Sequence, residues 1–569
     1  MSAPRRRRRR KAGLSRRDFL TRSGASVAAL GLGPMMLAGC GDGSGGRHPV
    51  DLPIDSGTNT IFRHGVASGD PLSDRVILWT RVTTASQAAV PVTLRIARDA
   101  AFSVDLQQVM AMATPQRDFT VKLDMSGLAP ATTYYYQFEF AGHPSAIGRT
   151  RTLPLGGVDR LRIAVASCSS YAHGYFNAYQ RIAERADLDL VLHLGDYIYE
   201  YGNGEYGAAR SYEPASEIVS LEDYRTRHGQ YKLEAELQEL HRQHPVICVW
   251  DDHESANDSW QGGAENHQAA VEGDWPSRKA RAQQAYDEWL PIRSTDPSRI
   301  FRSFEIGNLV SLAMLDSRLF ARSEPLQSSL SVPGLPLGAF TASGAFLDSS
   351  RTLLGDEQEQ WLASLLRNST AKWKLLGQQV MFGQLKLLGA PNALGLSQFL
   401  NPDQWDGYPV ARNRIFDVLR GGAGHTAIDN AVVLTGDIHT AWAMDLTPDP
   451  NNALVAAGGY NPLTGEGALG VEFVATSVTS PGLDELAAVQ DTLRLNNPHI
   501  KYVDLSRKGY LLLDITEQRC QGEFWAVDGI QTRGGTESLQ AVFQSADGDN
   551  HLSPGTVSLP KFNPPGLAP

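Results

Sequence analysis

The rhythm of apolar and polar positions changes part-way along this chain. Between about residues 62 and 154 the apolar runs are short and alternating (VILWTRV, VTLRIA, FTVKLDM, TYYYQFEF), broken at close intervals by Gly, Pro, Asp and Ser. That period of two predicts a small β-sandwich of fibronectin or immunoglobulin (Fn3/Ig-like) type. The string Leu128-Ala129-Pro130-Ala131-Thr132-Thr133-Tyr134 agrees, because its spacing recurs where a sandwich turns a corner. From about residue 160, strands alternate with helices. LRIAVASC, LDLVLHLGD, PVICVWDDHE, WKLLGQQV and NAVVLTGDIH read as buried strands and their turns. YFNAYQRIAERA, LEDYRTRHGQYKLEAELQELHRQ, WPSRKARAQQAYDEWL and GDEQEQWLASLLR have helical period, and FRSFEIGNLVSLAMLD reads as two strands across Gly307-Asn308. The pattern is that of an α/β layered core. VEFVATS and GYLLLDI suggest a more β-rich C-terminal part that completes a second sheet, with an irregular segment after His551.

At 569 residues the chain exceeds one ordinary core. Its expected organisation is an export signal over 1–40, a Gly/Ser-rich linker over 41–60, the sandwich over 61–155, the α/β domain over 160–535 and a tail over 536–569. The formal charge of −10 is unevenly distributed: residues 1–39 hold ten Lys and Arg against one Asp, so the rest carries about −19. An acidic mature protein argues against nucleic acid or anionic lipid as the main partner and suits one that gathers divalent cations. The basic run at residues 5–11 precedes Ser15-Arg16-Arg17-Asp18-Phe19-Leu20, which resembles the twin-arginine signal pattern. The apolar stretch that follows is shorter than the roughly 20 residues a membrane-spanning helix needs. Leu37-Ala38-Gly39-Cys40 matches a lipoprotein cleavage box, with ordinary cleavage and full secretion as the alternative. The expected partner in export is the twin-arginine machinery, and the expected location is periplasmic, cell-surface or secreted, attached to membrane only through Cys40. Four cysteines do not make a disulfide scaffold. Cys248 reads as a small core hydrophobe, whereas Cys168 ends a strand.

Three motifs end apolar runs: Gly195-Asp196-Tyr197-Ile198-Tyr199, Trp250-Asp251-Asp252-His253-Glu254 and Gly436-Asp437-Ile438-His439. Carboxylates, an imidazole and a phenol at the carboxyl ends of parallel strands point to a metal-dependent hydrolytic site, since ligands of open α/β sheets bind at that edge. Two Gly-x-Gly-x-x-Gly strings, at 202–207 and 465–470, do not open helices directly after strands and give no dinucleotide site. A Gly-x-Ser-x-Gly elbow is absent, against a serine hydrolase. Together with His64-Gly65-Val66-Ala67-Ser68-Gly69-Asp70-Pro71 and Ala166-Ser167-Cys168, the motifs make the chain resemble the PhoD-like alkaline phosphatases, within the wider metallophosphoesterases. The resemblance runs from about residue 62 to 529. It implies a four-layer αββα metallophosphoesterase domain behind the sandwich, and hydrolysis of phosphate esters.

Such hydrolysis needs positive charge on the phosphoryl oxygens and a nucleophile at working pH, which a metal pair supplies by clamping oxygens and acidifying a bound water. Asp196 is the bridging candidate. Tyr199, Cys168 and His439 complete a first site whose thiolate, phenolate, carboxylate and imidazole suit Fe3+ better than zinc. Asp252, Asp437 and Gln378 form a second, oxygen-based site that favours Ca2+. Commoner metallophosphoesterases have Asp-x-His in place of Ser167-Cys168, Gly-Asn-His in place of Asp251-Asp252-His253, and Gly-His-x-His in place of Gly-Asp-x-His. These departures fit a different metal pair. His253 takes a general-acid or transition-state role beside the metal-binding Asp252. Glu254 and Asp251 are either orienters or ligands of an extra Ca2+, and His193 reads as a buried structural histidine. The leading expectation is an exported phosphatase acting on phosphate monoesters, and on diesters as an extension. A phosphodiesterase of phospholipase D specificity, with phospholipid as substrate, is the runner-up. A surface binding protein with a structural metal site is the alternative of another class.

Overall fold

The computed structural model describes residues 60–330, 338–422 and 424–569; the expected export signal, lipoprotein box and nearly all of the linker lie outside them. The first of two large sheets has ten strands, in the order Ser553–Pro554, Glu537–Ala546, Arg519–Val527, Gly509–Thr516, Arg160–Ala166, Leu190–His193, Pro245–Cys248, Val66–Gly69, Arg75–Arg81 and Thr120–Ser126. The second has seven: Arg302–Ile306, Val310–Met314, Trp373–Gly377, Ala431–Thr435, Gly470–Val474, Ala441–Leu446 and Ile500–Asp504. The middle strands of both sheets run parallel to their neighbours. Ile163, Val165, Leu511 and Leu513 of the first sheet share one apolar core with Leu312, Leu375, Val432 and Phe473 of the second. The Trp373 indole N–H crosses between the sheets to the Thr516 carbonyl at 2.7 Å.

Strand periodicity explains the layers. Val432 and Leu434 point into the inter-sheet core, while Val433 joins Leu362 of the helix Gly355–Asn368 and Ile415 of the helix Pro409–Arg420 on the other face. Ile182 of Asn177–Ala183, Leu240 of Ala235–Gln243 and Ala285 of Trp275–Trp289 join the core that the first sheet builds. The result is the expected αββα order. No helix among the described residues is long and apolar enough to cross a membrane.

The strands read as a sandwich do pack as two sheets, with Val76, Leu78 and Val121 against Leu94, Tyr136 and Phe138. Tyr134 makes its corner, accepting the Ala129 N–H at 2.9 Å. One of the two sheets is not separate, however: Val66–Gly69 pairs in parallel with Pro245–Cys248, Ser68 opposite Pro245, and so continues the large sheet. Gly69 is required there, because a Cβ would stand 2.4 Å from the Pro291 carbonyl oxygen and 2.5 Å from that of Val246. The motif around it is a structural latch. Asp70 accepts two bonds from the Arg302 guanidinium (2.8 and 2.6 Å) and one from the Arg293 N–H (2.6 Å), and Arg302 also reaches the Cys248 carbonyl. The expected tail needs correction. Glu537–Ala546 is a strand paired with Arg519–Val527, and the irregular segment beyond it is tied back by Lys561 N–H to Asp187 and Ala568 N–H to Gln243.

Candidate metal centre

Every predicted site residue follows a strand whose end opens on the same edge. Cys168 follows Arg160–Ala166, Asp196 follows Leu190–His193, and Asp251 to His253 follow Pro245–Cys248. Gln378 follows Trp373–Gly377, and Asp437 and His439 follow Ala431–Thr435. Four of these residues adopt left-handed backbone angles: Cys168 (φ 61°), Asp196 (55°), Asp437 (61°) and His439 (63°). Non-glycine residues held this way cost of order 1–3 kcal/mol each and gather at functional sites. The turns brace one another, since the Cys168 N–H donates to the Gly195 carbonyl and the Ser169 N–H to the Asp196 carbonyl. Gly195 permits the approach: its φ is 109°, and a Cβ would lie 2.4 Å from that of Asp251.

Ligand atoms of Cys168, Asp196 and His439 lie within 4.8 Å of one another; so do those of Asp196, Asp252 and His253, and those of Asp251, Asp252 and Asp437. Asp196 and Asp252 each belong to two groups, so they are the carboxylates that neighbouring cations would share. Tyr199 completes the first group. Its hydroxyl donates to Asp196 Oδ2 at 2.9 Å and lies 3.2 Å from His439 Nε2 and 2.5 Å from Ser480 Oγ. His439 donates from Nδ1 to the Pro481 carbonyl, which turns Nε2 towards the site. Burial, then the charge of Asp196, pushes both the Cys168 thiol and the Tyr199 phenol well above their ordinary ranges. A cation is what would let them ionise there.

The third group is gripped by a residue that no sequence motif marks. Arg318, fully buried, donates from Nε to Asp251 Oδ1 (2.5 Å) and from its two terminal nitrogens to Asp403 (2.6 Å) and Asp437 (2.7 Å), and stands 3.4 Å from Asp252. Even so, burial pushes the Asp251 carboxyl well above its range, with Arg318 opposing and Asp252, Asp196 and Asp437 reinforcing. Asp251 Oδ2 is buried without a hydrogen-bond partner among the described residues. The donor set therefore fits further positive charge. Asp251 joins Asp252 and Asp437, the two acidic residues that the sequence assigns to the second site. The Gln378 amide nitrogen donates to the Val380 carbonyl and Thr435 Oγ1, and its oxygen accepts the Trp405 indole N–H. At its strand end the Gln378 amide thus ties together Val380, Thr435 and Trp405.

His253 Nδ1 bonds Glu200 Oε2 at 2.7 Å, and Glu200 is fixed in turn by the Asn257 N–H and the Asn266 amide. Burial disfavours the charged imidazole, yet Asp252, Glu200 and Asp196 outweigh it and raise the His253 pKa well above the usual histidine value. The ring stacks on Tyr199 at 4.3 Å, with Tyr201 and Tyr206 also against it. Glu254 is an orienter, accepting the N–H groups of Asp196, Tyr197 and Asp251. His193 is structural: burial lowers its pKa to about 3, and it bonds the Tyr179 hydroxyl. Glu200, Arg318 and Ser480 escape a motif search, although Glu200 lies four residues after Asp196 and Arg318 soon after the strand Val310–Met314.

The sequence profile described as PhoD-like phosphatase matches residues 163–524, and that of the PhoD-like phosphatase N-terminal domain matches residues 51–154. The chain is 36% identical over 502 residues to alkaline phosphatase D of Bacillus subtilis (strain 168), covering 85% of this chain and 80% of that protein. A solved structure described as the structure of PhoD superposes with a TM-score of 0.77 at 35% identity, over 88% of this chain and 93% of the other.

Proposed function

The chain belongs to the PhoD-like phosphatases, hydrolases of phosphate esters, and from that premise we propose an exported alkaline phosphatase that cleaves phosphate monoesters with the aid of Fe3+ and Ca2+. The observation that carries this reading is the Tyr199 hydroxyl set between Asp196 and His439, with Cys168 in the same group. Thiolate, phenolate, imidazole and carboxylate are a donor set for iron rather than for a closed zinc site. The oxygens of Asp251, Asp252 and Asp437 suit a hard divalent ion, for which we infer Ca2+. When bound, the two ions supply the charge that a phosphoryl group needs in its transition state and a nucleophile at working pH.

The chain's own residues divide the remaining work. Asp196 and Asp252 fix the relative placement of the two positions. His253, held by Glu200 at Nδ1 and kept protonated by its acidic neighbours, donates a proton from Nε2 to the leaving oxygen. Tyr199, Tyr201 and Tyr206 wall the imidazole and exclude water from it. The twin-arginine-like segment at residues 15–20 supports export, and Cys40 supports a lipid anchor.

The test is a single preparation assayed three ways. Purified protein should show a visible charge-transfer band that disappears in Tyr199→Phe, and should lose activity to a calcium chelator and regain it with Ca2+. It should also turn over an aryl phosphate monoester faster than the matching diester or phosphatidylcholine. A colourless, iron-free, fully active protein would overturn the iron assignment, and preference for the diester or the lipid would overturn the monoester assignment.

A further inference from the structure

The Arg318 guanidinium stands where a metal centre would be expected to hold only anions and ions. Its three nitrogens are all committed to carboxylates, and one of them serves both Asp437 and Asp252. Behind it, Asp403 is shared with a second buried arginine, Arg322, which also bonds the Tyr408 hydroxyl at 3.2 Å and lies 5.3 Å over that ring. A carboxylate gripped from both sides cannot follow Arg318 if it shifts, so the guanidinium is anchored on the side away from the site. Its planar fork also dictates which oxygens it takes: Oδ1 of Asp251 and Oδ1 of Asp437.

We propose that Arg318 is the positioning residue of the second cation position, a built-in positive charge that holds Asp251, Asp252 and Asp437 together before any ion arrives. The proposal rests on the metal reading of that group and goes beyond it. Three buried carboxylates this close repel one another strongly in a medium of low dielectric. A chain with nothing but an incoming ion to offset that repulsion would reach its native state only after loading. Arg318 lets the empty site form in its final shape, at the cost of competing electrostatically with the ion it prepares for. Guanidinium and ion therefore do overlapping work, and removing one raises dependence on the other.

The test compares melting temperatures of the full chain, stripped with chelator and then supplied with CaCl2, for wild type, Arg318→Gln and Arg318→Lys. In Arg318→Gln the stripped protein should melt several degrees lower, most of the loss should return with Ca2+, and the Ca2+-induced rise should be roughly double that of wild type, by linkage. Arg318→Lys, which keeps the charge but not the fork, should fall between them. An arginine that merely packs would lower both melting temperatures equally, and an unchanged Ca2+-induced rise in the variants would overturn the proposal. If Arg318→Gln does not fold when stripped, recovery on refolding with CaCl2 supports the proposal, and failure with CaCl2 as well as without it overturns it. Should Ca2+, Mg2+ and Mn2+ all leave the wild-type melting temperature unmoved, the group holds no divalent ion, and the metal reading falls together with this one.

Discussion

Lys232 ends the helix Leu221–Lys232 with its ammonium buried where the sandwich meets the catalytic domain, and Lys232→Met should stabilise the protein at neutral pH. Its Nζ has no hydrogen-bond partner among the described residues; it lies 4.6 Å over the Trp79 ring and 5.7 Å over that of Tyr197. Burial lowers its pKa from the ordinary 10.5 to about 7, with only Cys248 pulling the other way. Between pH 7 and 10.5 the unfolded chain therefore binds a proton that the folded chain does not, and stability rises with pH across that window. Below pH 7 both states are charged and the whole penalty is present. At 1.36 kcal/mol per pH unit, the separation amounts to about 5 kcal/mol. Methionine has a similar reach and no charge, so part of that penalty disappears and some packing is lost. We expect Lys232→Met to be more stable by about 2–4 kcal/mol at pH 6.5, with the gap closing to under about 1 kcal/mol by pH 10.5. Urea unfolding of both proteins at half-unit pH steps measures this directly. A variant less stable than wild type at pH 6.5, or a gap that does not change with pH, would refute the reasoning.

Four other outcomes follow from the geometry. Glu200→Gln keeps the shape but removes a charge that helps hold His253 protonated. We expect kcat to fall by about 10²-fold and the alkaline limb of the pH–rate profile to move to lower pH, because the imidazole then loses its proton sooner. Tyr199→Phe should abolish the visible band and reduce iron content measured by elemental analysis. Gln378→Ala should leave metal content unchanged while costing about 1–3 kcal/mol in denaturant unfolding, since the Trp405 N–H loses its acceptor. Asp70→Asn should cost about 3 kcal/mol, because Arg302 is left largely buried beside a neutral group, and should likewise spare the metal content.

The layers and the strand-end motifs were legible because both are short-range signals. A buried parallel strand is a continuous apolar run, and a site residue placed directly after it appears in the sequence where it appears in the fold. Cys168, Asp196, Tyr199, Asp252, His253, Asp437 and His439 were found this way, and the structure brings all of them together. Gln378 shares the same position after a strand, yet local partners claim its amide, and no spacing rule reveals which amide is claimed. Arg318 and Glu200 act through contacts 67 and 53 residues away in sequence, so each reads as an ordinary surface charge. The strand Glu537–Ala546 has almost no alternation of burial and only two strongly apolar side chains, Val542 and Phe543, besides Leu539. It forms because Arg519–Val527 offers an edge, not because of its own pattern.

The continuity of the large sheet through Val66–Gly69 also sets an order of events in time. This strand leaves the ribosome early, but the partner on its far side, Pro245–Cys248, comes about 180 residues later. At about 5–20 residues per second, the wait is on the order of 10–40 s. Throughout it the small sandwich carries an open parallel edge, and Asp70 lacks Arg302. The earliest strand of the described residues thus waits for one made well after it, so chains truncated before residue 245 should associate through that edge.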